Sequence, residues 1–154
     1  MANIGVIGTT SWGTTLAIIA ANRSNKVTLL ARTKTESDSL TLHRQNSRFL
    51  SGSMFPKNLK VSSSPLDLND AEIVILAVPS ATLRNNLQLI KTCLPTECIL
   101  VSAVKGLEID SGKRMSQLIQ EECPSELHTS ITVLSGPNLA MEIIEGKPSS
   151  TVVA

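Results

Sequence analysis

Between Asn3 and Arg32 the chain reads as apolar strand, glycine-bearing turn, helix and second apolar strand, and no other stretch constrains the fold as much. Asn3–Gly8 is a compact apolar run, Trp12–Asn22 has helical character, and Lys26–Ala31 is a second strand. Two short strands joined through one helix must pair in parallel, because the crossover returns the chain to its starting edge. The turn itself, Gly8-Thr9-Thr10-Ser11-Trp12-Gly13, carries glycine at the first and third positions of the phosphate-binding pattern G-x-G-x-x-G. The first glycine permits the tight turn and the third permits close helix–strand packing. Thr10 occupies the second position, where a Cβ pushes a phosphate outward. Its hydroxyl is expected to compensate in part by donating a hydrogen bond. A two-of-three match also fits an ordinary strand–helix turn. What favours a nucleotide is the setting, a βαβ unit whose helix start offers unpaired N–H groups to an anion.

The same alternation continues along the chain. Thr35–Gln45 reads as helix, Arg48–Pro56 as a loop broken by Gly52 and Pro56, and Leu59–Ser62 as a short strand. Ser64-Pro65-Leu66-Asp67 has the form of a helix start, with a capping Ser, Pro in the first turn and an acid facing the helix dipole. Ala71–Val78 is the most hydrophobic strand, and Ser80 is expected to cap a helix reaching Thr92. Cys98–Ala103 and Ser130–Ser135 read as strands, Gly112–Cys123 and Pro137–Glu145 as helices, and Ser150–Ala154 as the beginning of one more strand. Apolar runs with little alternation suit strands covered on both faces. With aromatics at only 2%, the core must be built from Ile, Leu, Val and Ala. The fold expected is α/β: a doubly wound, mostly parallel sheet with helices on both faces, residues 1–154 forming one domain. A chain stopping inside a strand is expected to be part of a longer protein.

Charge and cysteine content narrow the partners. A net charge of +1 gives no electrostatic reason to expect nucleic acid or an anionic membrane. The longest apolar runs, Leu16–Ala21 and Ile73–Val78, fall far short of the roughly 20 residues needed to span a bilayer. Cys93, Cys98 and Cys123 show no metal-ligand spacing, so a reducing, cytoplasmic setting without disulfides or zinc is expected. The glycosylation triplet at Asn22 is read as chance. His43 and His128 are expected to face solvent, and Glu121-Glu122 to be a solvated helix face.

Where an NAD site places an acid, about 20 residues past the turn, this chain has Ala31-Arg32-Thr33. An arginine there suits a 2′-phosphate and favours NADP over NAD; Glu36, beyond the strand end, is the poorer candidate. Lys105 follows a strand at the sheet edge where open α/β proteins bind ligands, and offers a cation to a phosphorylated substrate. Gly136-Pro137-Asn138 is expected to open a helix and to present N–H groups to an oxyanion.

Six segments in order, Gly8–Thr14, Leu30-Ala31-Arg32, Phe49-Leu50-x-Gly52, Ala77–Ser80, Lys105–Glu108 and Ser135–Glu142, together resemble the N-terminal domain of bacterial-type NAD(P)-dependent glycerol-3-phosphate dehydrogenase. The resemblance covers essentially the whole chain. It implies a Rossmann-type cofactor domain whose parent interconverts dihydroxyacetone phosphate and sn-glycerol 3-phosphate for phospholipid synthesis. A helical C-terminal domain, absent here, would carry the catalytic lysine and a possible homodimer contact. It further implies that Gly8, Ser11, Trp12, Gly13, Arg32, Phe49, Lys105 and Ala140 contact the coenzyme, Trp12 through its backbone, while Lys105, Gly136 and Asn138 contact the substrate. Thr10 replaces the family's usual Gly, Phe49 a common Tyr, Asn138 a common Ser and Ser51 a common Pro. Two other readings stay open: the cofactor domain of a 6-phosphogluconate or ketopantoate type dehydrogenase, and a non-catalytic dinucleotide-sensing module.

Overall fold

The computed structural model describes residues 1–154. Its strands are β1 (Asn3–Ile7), β2 (Lys26–Leu30), β3 (Leu59–Ser62), β4 (Ile73–Leu76), β5 (Ile99–Ser102), β6 (Ile131–Ser135) and β7 (Val152–Val153). Its α-helices are α1 (Ser11–Asn22), α2 (Lys34–His43), α3 (Leu83–Ile90), α4 (Met115–Glu122) and α5 (Ala140–Ile144). All seven strands lie in one sheet in the order β3-β2-β1-β4-β5-β6-β7. The first six pair in parallel, and β7 returns antiparallel beside β6, with Ser135 opposite Val152.

Successive side chains of a strand point to opposite faces, and β1 shows the consequence. Val6 packs with Ala17, Ile18, Leu29 and Leu40 on the face covered by α1 and α2. Its neighbour Ile7 joins Leu76, Leu87, Leu100 and Leu118 on the face covered by α3 and α4. Both faces are therefore dry, as the run of apolar residues predicts, and the fold is the doubly wound one expected.

Four local expectations are corrected. Ser64 makes no cap, and residues Pro65–Leu68 form only a short 3₁₀ turn. The Ser62 hydroxyl takes the Ser64 N–H instead, at 3.0 Å. Ser80 caps nothing: it begins a 3₁₀ turn after Pro79, and α3 starts only at Leu83. The helix expected from Gly112 starts at Met115, because residues 107–114 close on themselves through a Leu107–Arg114 bridge and Gly112 takes φ +66°. The helix expected from Pro137 starts at Ala140, because the Asn138 N–H turns back to the Gly136 carbonyl at 2.8 Å. No helix is long and apolar enough to cross a membrane.

Candidate functional site

The chain passes from β3, at one edge, back across the sheet to β4, which lies against β1 on its other side. Loops leaving β1 and β4 therefore diverge, and the crevice between them at the carboxyl ends of the strands is where such sheets bind ligands. Gly8 turns the chain there with φ +109°; a Cβ on it would stand 2.8 Å from the Ala77 carbonyl oxygen. Gly13 faces the same wall, and a Cβ there would collide with the Gly8 carbonyl. Gly8 is required by contact with the loop after β4, and Gly13 by the close return of the helix start onto Gly8.

Thr10 behaves differently from expectation. It is the N-cap of α1, its hydroxyl accepting from the Gly13 N–H at 3.2 Å while donating to the Ala77 carbonyl at 3.1 Å. That proton is committed to the fold and does not compensate a phosphate. Within the turn the backbone N–H groups of Thr9, Thr10, Ser11 and Trp12 have no acceptor inside the protein, and the last two belong to the helix start. They open a twelve-residue helix, so the positive end of its dipole adds to them. The Trp12 indole N–H is buried with no acceptor, which leaves the backbone as this residue's available polar contact.

Two hollows flank this helix start. One, of about 390 Å³, is lined by Ser11, Trp12, Pro79, Lys105, Asn138 and Ala140. Here the Lys105 ammonium reaches the Gly136 carbonyl at 3.4 Å. Asn138 is 7% exposed, and its amide is turned to the Ser149 and Thr151 hydroxyls at 2.5 and 2.9 Å. The expected oxyanion contact from Gly136-Pro137-Asn138 is not formed by a helix start, since α5 begins later and the Asn138 N–H is already bonded. The other hollow, of about 250 Å³, is lined by Gly8, Arg32, Glu36, Arg48, Phe49 and Val78, among others. The Arg48 guanidinium lies over the Phe49 ring at 4.9 Å.

Sequence reasoning set Glu36 aside as the poorer candidate and did not single out Asn46 or Arg84. Glu36 lies six positions beyond β2, yet the first turn of α2, capped by Thr33, folds it back over the strand end. Its carboxylate accepts from the Thr9 hydroxyl at 2.5 Å and the Arg32 N–H at 3.1 Å. The second is Asn46, 3% exposed, which donates to the Thr9 carbonyl at 2.7 Å and the Thr14 hydroxyl at 2.9 Å. It pins the loop bearing Arg48 and Phe49 onto the glycine turn. The third is Arg84 of α3, which pairs with Glu108, Glu121 and Glu122. The Arg84 guanidinium, helped by the Ser111 hydroxyl, holds Glu108 down to about 2. Glu108 thereby fastens the loop that starts at Lys105.

This network also corrects half of the surface reading of Glu121-Glu122: Glu121 is exposed as expected, whereas the Glu122 side chain is only 11% exposed. His128 is half-buried, with its ring against the Cys123 carbonyl at 3.2 Å, whereas His43 is exposed as expected. Burial pushes the Cys123 thiol up to about 11, which makes it a core residue and a poor nucleophile.

Set against known proteins, the whole of this arrangement falls within one family. The family described as NAD-dependent glycerol-3-phosphate dehydrogenase N-terminus matches residues 3–154. The chain belongs to this family. A glycerol-3-phosphate dehydrogenase (NAD(P)+) of Dehalococcoides mccartyi is 43% identical over 156 residues, spanning all of this chain and 44% of that protein. The like-named enzyme of Corynebacterium jeikeium is 43% identical over 157 residues, again all of this chain and 46% of the relative. A crystal structure of glycerol-3-phosphate dehydrogenase from Coxiella burnetii superposes with a TM-score of 0.88 at 25% identity, over 99% of this chain and 46% of the other. The chain thus spans less than half the length of these relatives and corresponds to the N-terminal domain of the glycerol-3-phosphate dehydrogenase family.

Proposed function

We propose that the chain is the coenzyme-holding part of an oxidoreductase that interconverts dihydroxyacetone phosphate and sn-glycerol 3-phosphate. The observation that carries this reading is the pair of acceptorless N–H groups of Ser11 and Trp12 at the switch point, on a turn whose glycines pack too closely to admit a Cβ. Ser11 and Trp12 hold the pyrophosphate through those groups, with Gly8 and Gly13 letting the turn close tightly beneath them. Arg32, Arg48 and Phe49 take the adenosine end; Ala140 lines the hollow for the nicotinamide end. The nicotinamide coenzyme, when bound, exchanges a hydride with the substrate carbon.

Lys105 is the one ammonium lining the hollow beside Trp12. It neutralises a phosphorylated substrate or holds a proton near the reacting oxygen. Gly136 orients Lys105 through its carbonyl. Asn138 shapes the wall through its bonds to Ser149 and Thr151, and meets substrate only if those bonds exchange. The remaining catalytic lysine, and a homodimer contact, belong on this reading to the helical half that the relatives carry beyond the matched stretch. The enzyme works in the cytoplasm, supplying glycerol phosphate for lipid synthesis. Family membership favours this activity over the 6-phosphogluconate and ketopantoate alternatives.

Trp12, the only tryptophan, stands at the crevice and reports the test directly. Titration with NADH and NADPH is expected to change its fluorescence saturably, and the 154-residue chain is expected to oxidise neither coenzyme when dihydroxyacetone phosphate is added. Absence of any binding overturns the coenzyme reading. Steady oxidation by this chain alone overturns the assignment of the missing catalytic group to a second half.

A further inference from the structure

Lys105 is exposed and makes one hydrogen bond, a long one to the Gly136 carbonyl at 3.4 Å. Such a contact does not hold a flexible side chain, so the ammonium is placed by the backbone that carries it. That backbone runs into a lobe over residues 106–114, which closes on itself. Leu107 bridges to Arg114, the Glu108 N–H donates to the Lys113 carbonyl at 2.9 Å, and the Gly112 N–H donates to the Glu108 carbonyl at 2.8 Å. Apolar packing does not anchor the lobe, since Leu107 and Ile109 are exposed. Only Glu108 and Lys113 within it are half-buried. Lys113 pairs with Glu121 of α4. Glu108 is gripped by the Arg84 guanidinium through two bonds, from Nε at 2.8 Å and from Nη2 at 2.9 Å. A two-bonded fork fixes direction as well as distance.

The other end of this fork lies beside the crevice. Arg84 is the second residue of α3, and the residues just before that helix, Pro79, Ser80 and Thr82, line the two hollows. At the base of the lobe Gly106 takes φ +111°, and a Cβ there would stand 3.3 Å from the Ser80 hydroxyl. We propose that Glu108, through its fork with Arg84, is a positioning residue for Lys105, setting the ammonium beside the phosphates held at Ser11 and Trp12. The proposal rests on the crevice being the coenzyme site. A direct charge effect has the opposite sign: removing the Glu108 charge through space alone favours an anionic coenzyme, whereas loosening Lys105 disfavours it.

The test is a Trp12 fluorescence titration with NADH and NADPH of the wild type, Lys105→Met, Glu108→Gln and the double variant, alongside the melting temperature of each free protein. One charge about 5 Å from a pyrophosphate in a water-like dielectric is worth about tenfold in affinity, the weakening expected for Lys105→Met. Glu108→Gln is expected to weaken binding about threefold to fivefold although it makes the chain more positive, and the double variant to bind within about twofold of Lys105→Met. A merely structural role for Glu108 acts independently of Lys105, so its factor multiplies in the double variant. A folded Glu108→Gln protein that binds within about twofold of the wild type, or more tightly, overturns the proposal, as does a double variant more than about twofold weaker than Lys105→Met. If Lys105→Met binds as the wild type does, Lys105 does not touch the coenzyme and the proposal falls while the crevice reading stands. Should Glu108→Gln fail to fold, Arg84→Lys, which keeps the charge and loses the fork, takes its place in the cycle with the same expectations. A wild type that binds neither coenzyme overturns the crevice reading itself, and the proposal with it.

Discussion

Asn46 offers the sharpest test of how the site is held together. It is buried at 3% exposure, and both protons of its amide are spent, on the Thr9 carbonyl at 2.7 Å and the Thr14 hydroxyl at 2.9 Å. Its own carbonyl caps the turn that follows, accepting from the Leu50 N–H at 2.8 Å. Asn46→Ala leaves that backbone bond and removes only the two side-chain bonds. At about 1 kcal/mol each, with a further contribution from the space left behind, the loss is about 2–3 kcal/mol. For a chain of this size each kcal/mol moves the melting temperature by about 2–4 °C, so a drop of about 5–10 °C is expected by calorimetry. Asn46→Asp is the more discriminating change. It keeps the shape but sets a charged acceptor against the Thr9 carbonyl, with no proton to give and little water to solvate it. It is expected to cost more than alanine, and to recover part of that loss in mild acid, where the introduced carboxyl regains one donor. Because the loop carries Arg48 and Phe49, NADPH affinity is expected to fall about fivefold in the alanine variant, beyond what unfolding removes. If Asn46→Asp melts within about 2 °C of the wild type at neutral pH, the two hydrogen bonds do not hold the loop and the reasoning fails.

Thr10→Gly separates folding from binding at the turn: losing the cap and the bond to the Ala77 carbonyl should destabilise the chain by about 1–2 kcal/mol in urea unfolding, while coenzyme affinity holds or rises. A fall in affinity would show that the hydroxyl serves the ligand after all. The pairing of Glu108 with Arg84 predicts an acid signature. The carboxyl titrates at about 2 in the fold against 4.5 ordinarily, so its contribution is complete above pH 4.5 and is lost as pH falls through about 2. Acid unfolding followed by circular dichroism should lose this part of its pH dependence in Arg84→Met.

The sheet, its order of helices and strands, and the position of the crevice were legible from local chemistry. Apolar runs bounded by Gly, Pro and Ser mark where strands end, and Gly8 and Gly13 mark the tight turn between the first strand and its helix. Element starts were read less well wherever the decisive contact was not local. The Ser62 hydroxyl displaces the expected cap at Ser64, and a closed loop over residues 107–114 delays α4. Glu36 shows the limit most clearly. Its distance along the chain says it is past the strand end, and one turn of α2 returns it to the site.

Residue types and their spacing were enough to point to a coenzyme domain in outline: a βαβ unit with a glycine turn, a cation after β5, and a core without aromatic bulk. Only the tertiary structure decided which polar atoms remain free to bind. Thr10 appeared available in the sequence and is consumed by Ala77 and Gly13; Ser11 and Trp12 keep their N–H groups because no carbonyl reaches them. Asn46 and Thr9, 37 positions apart, and Arg84 and Glu108, 24 apart, became partners through the packing of loops onto the sheet. The reason is physical. Propensity and periodicity act over a few neighbouring residues, whereas hydrogen-bond satisfaction in a buried crevice depends on every segment that closes over it.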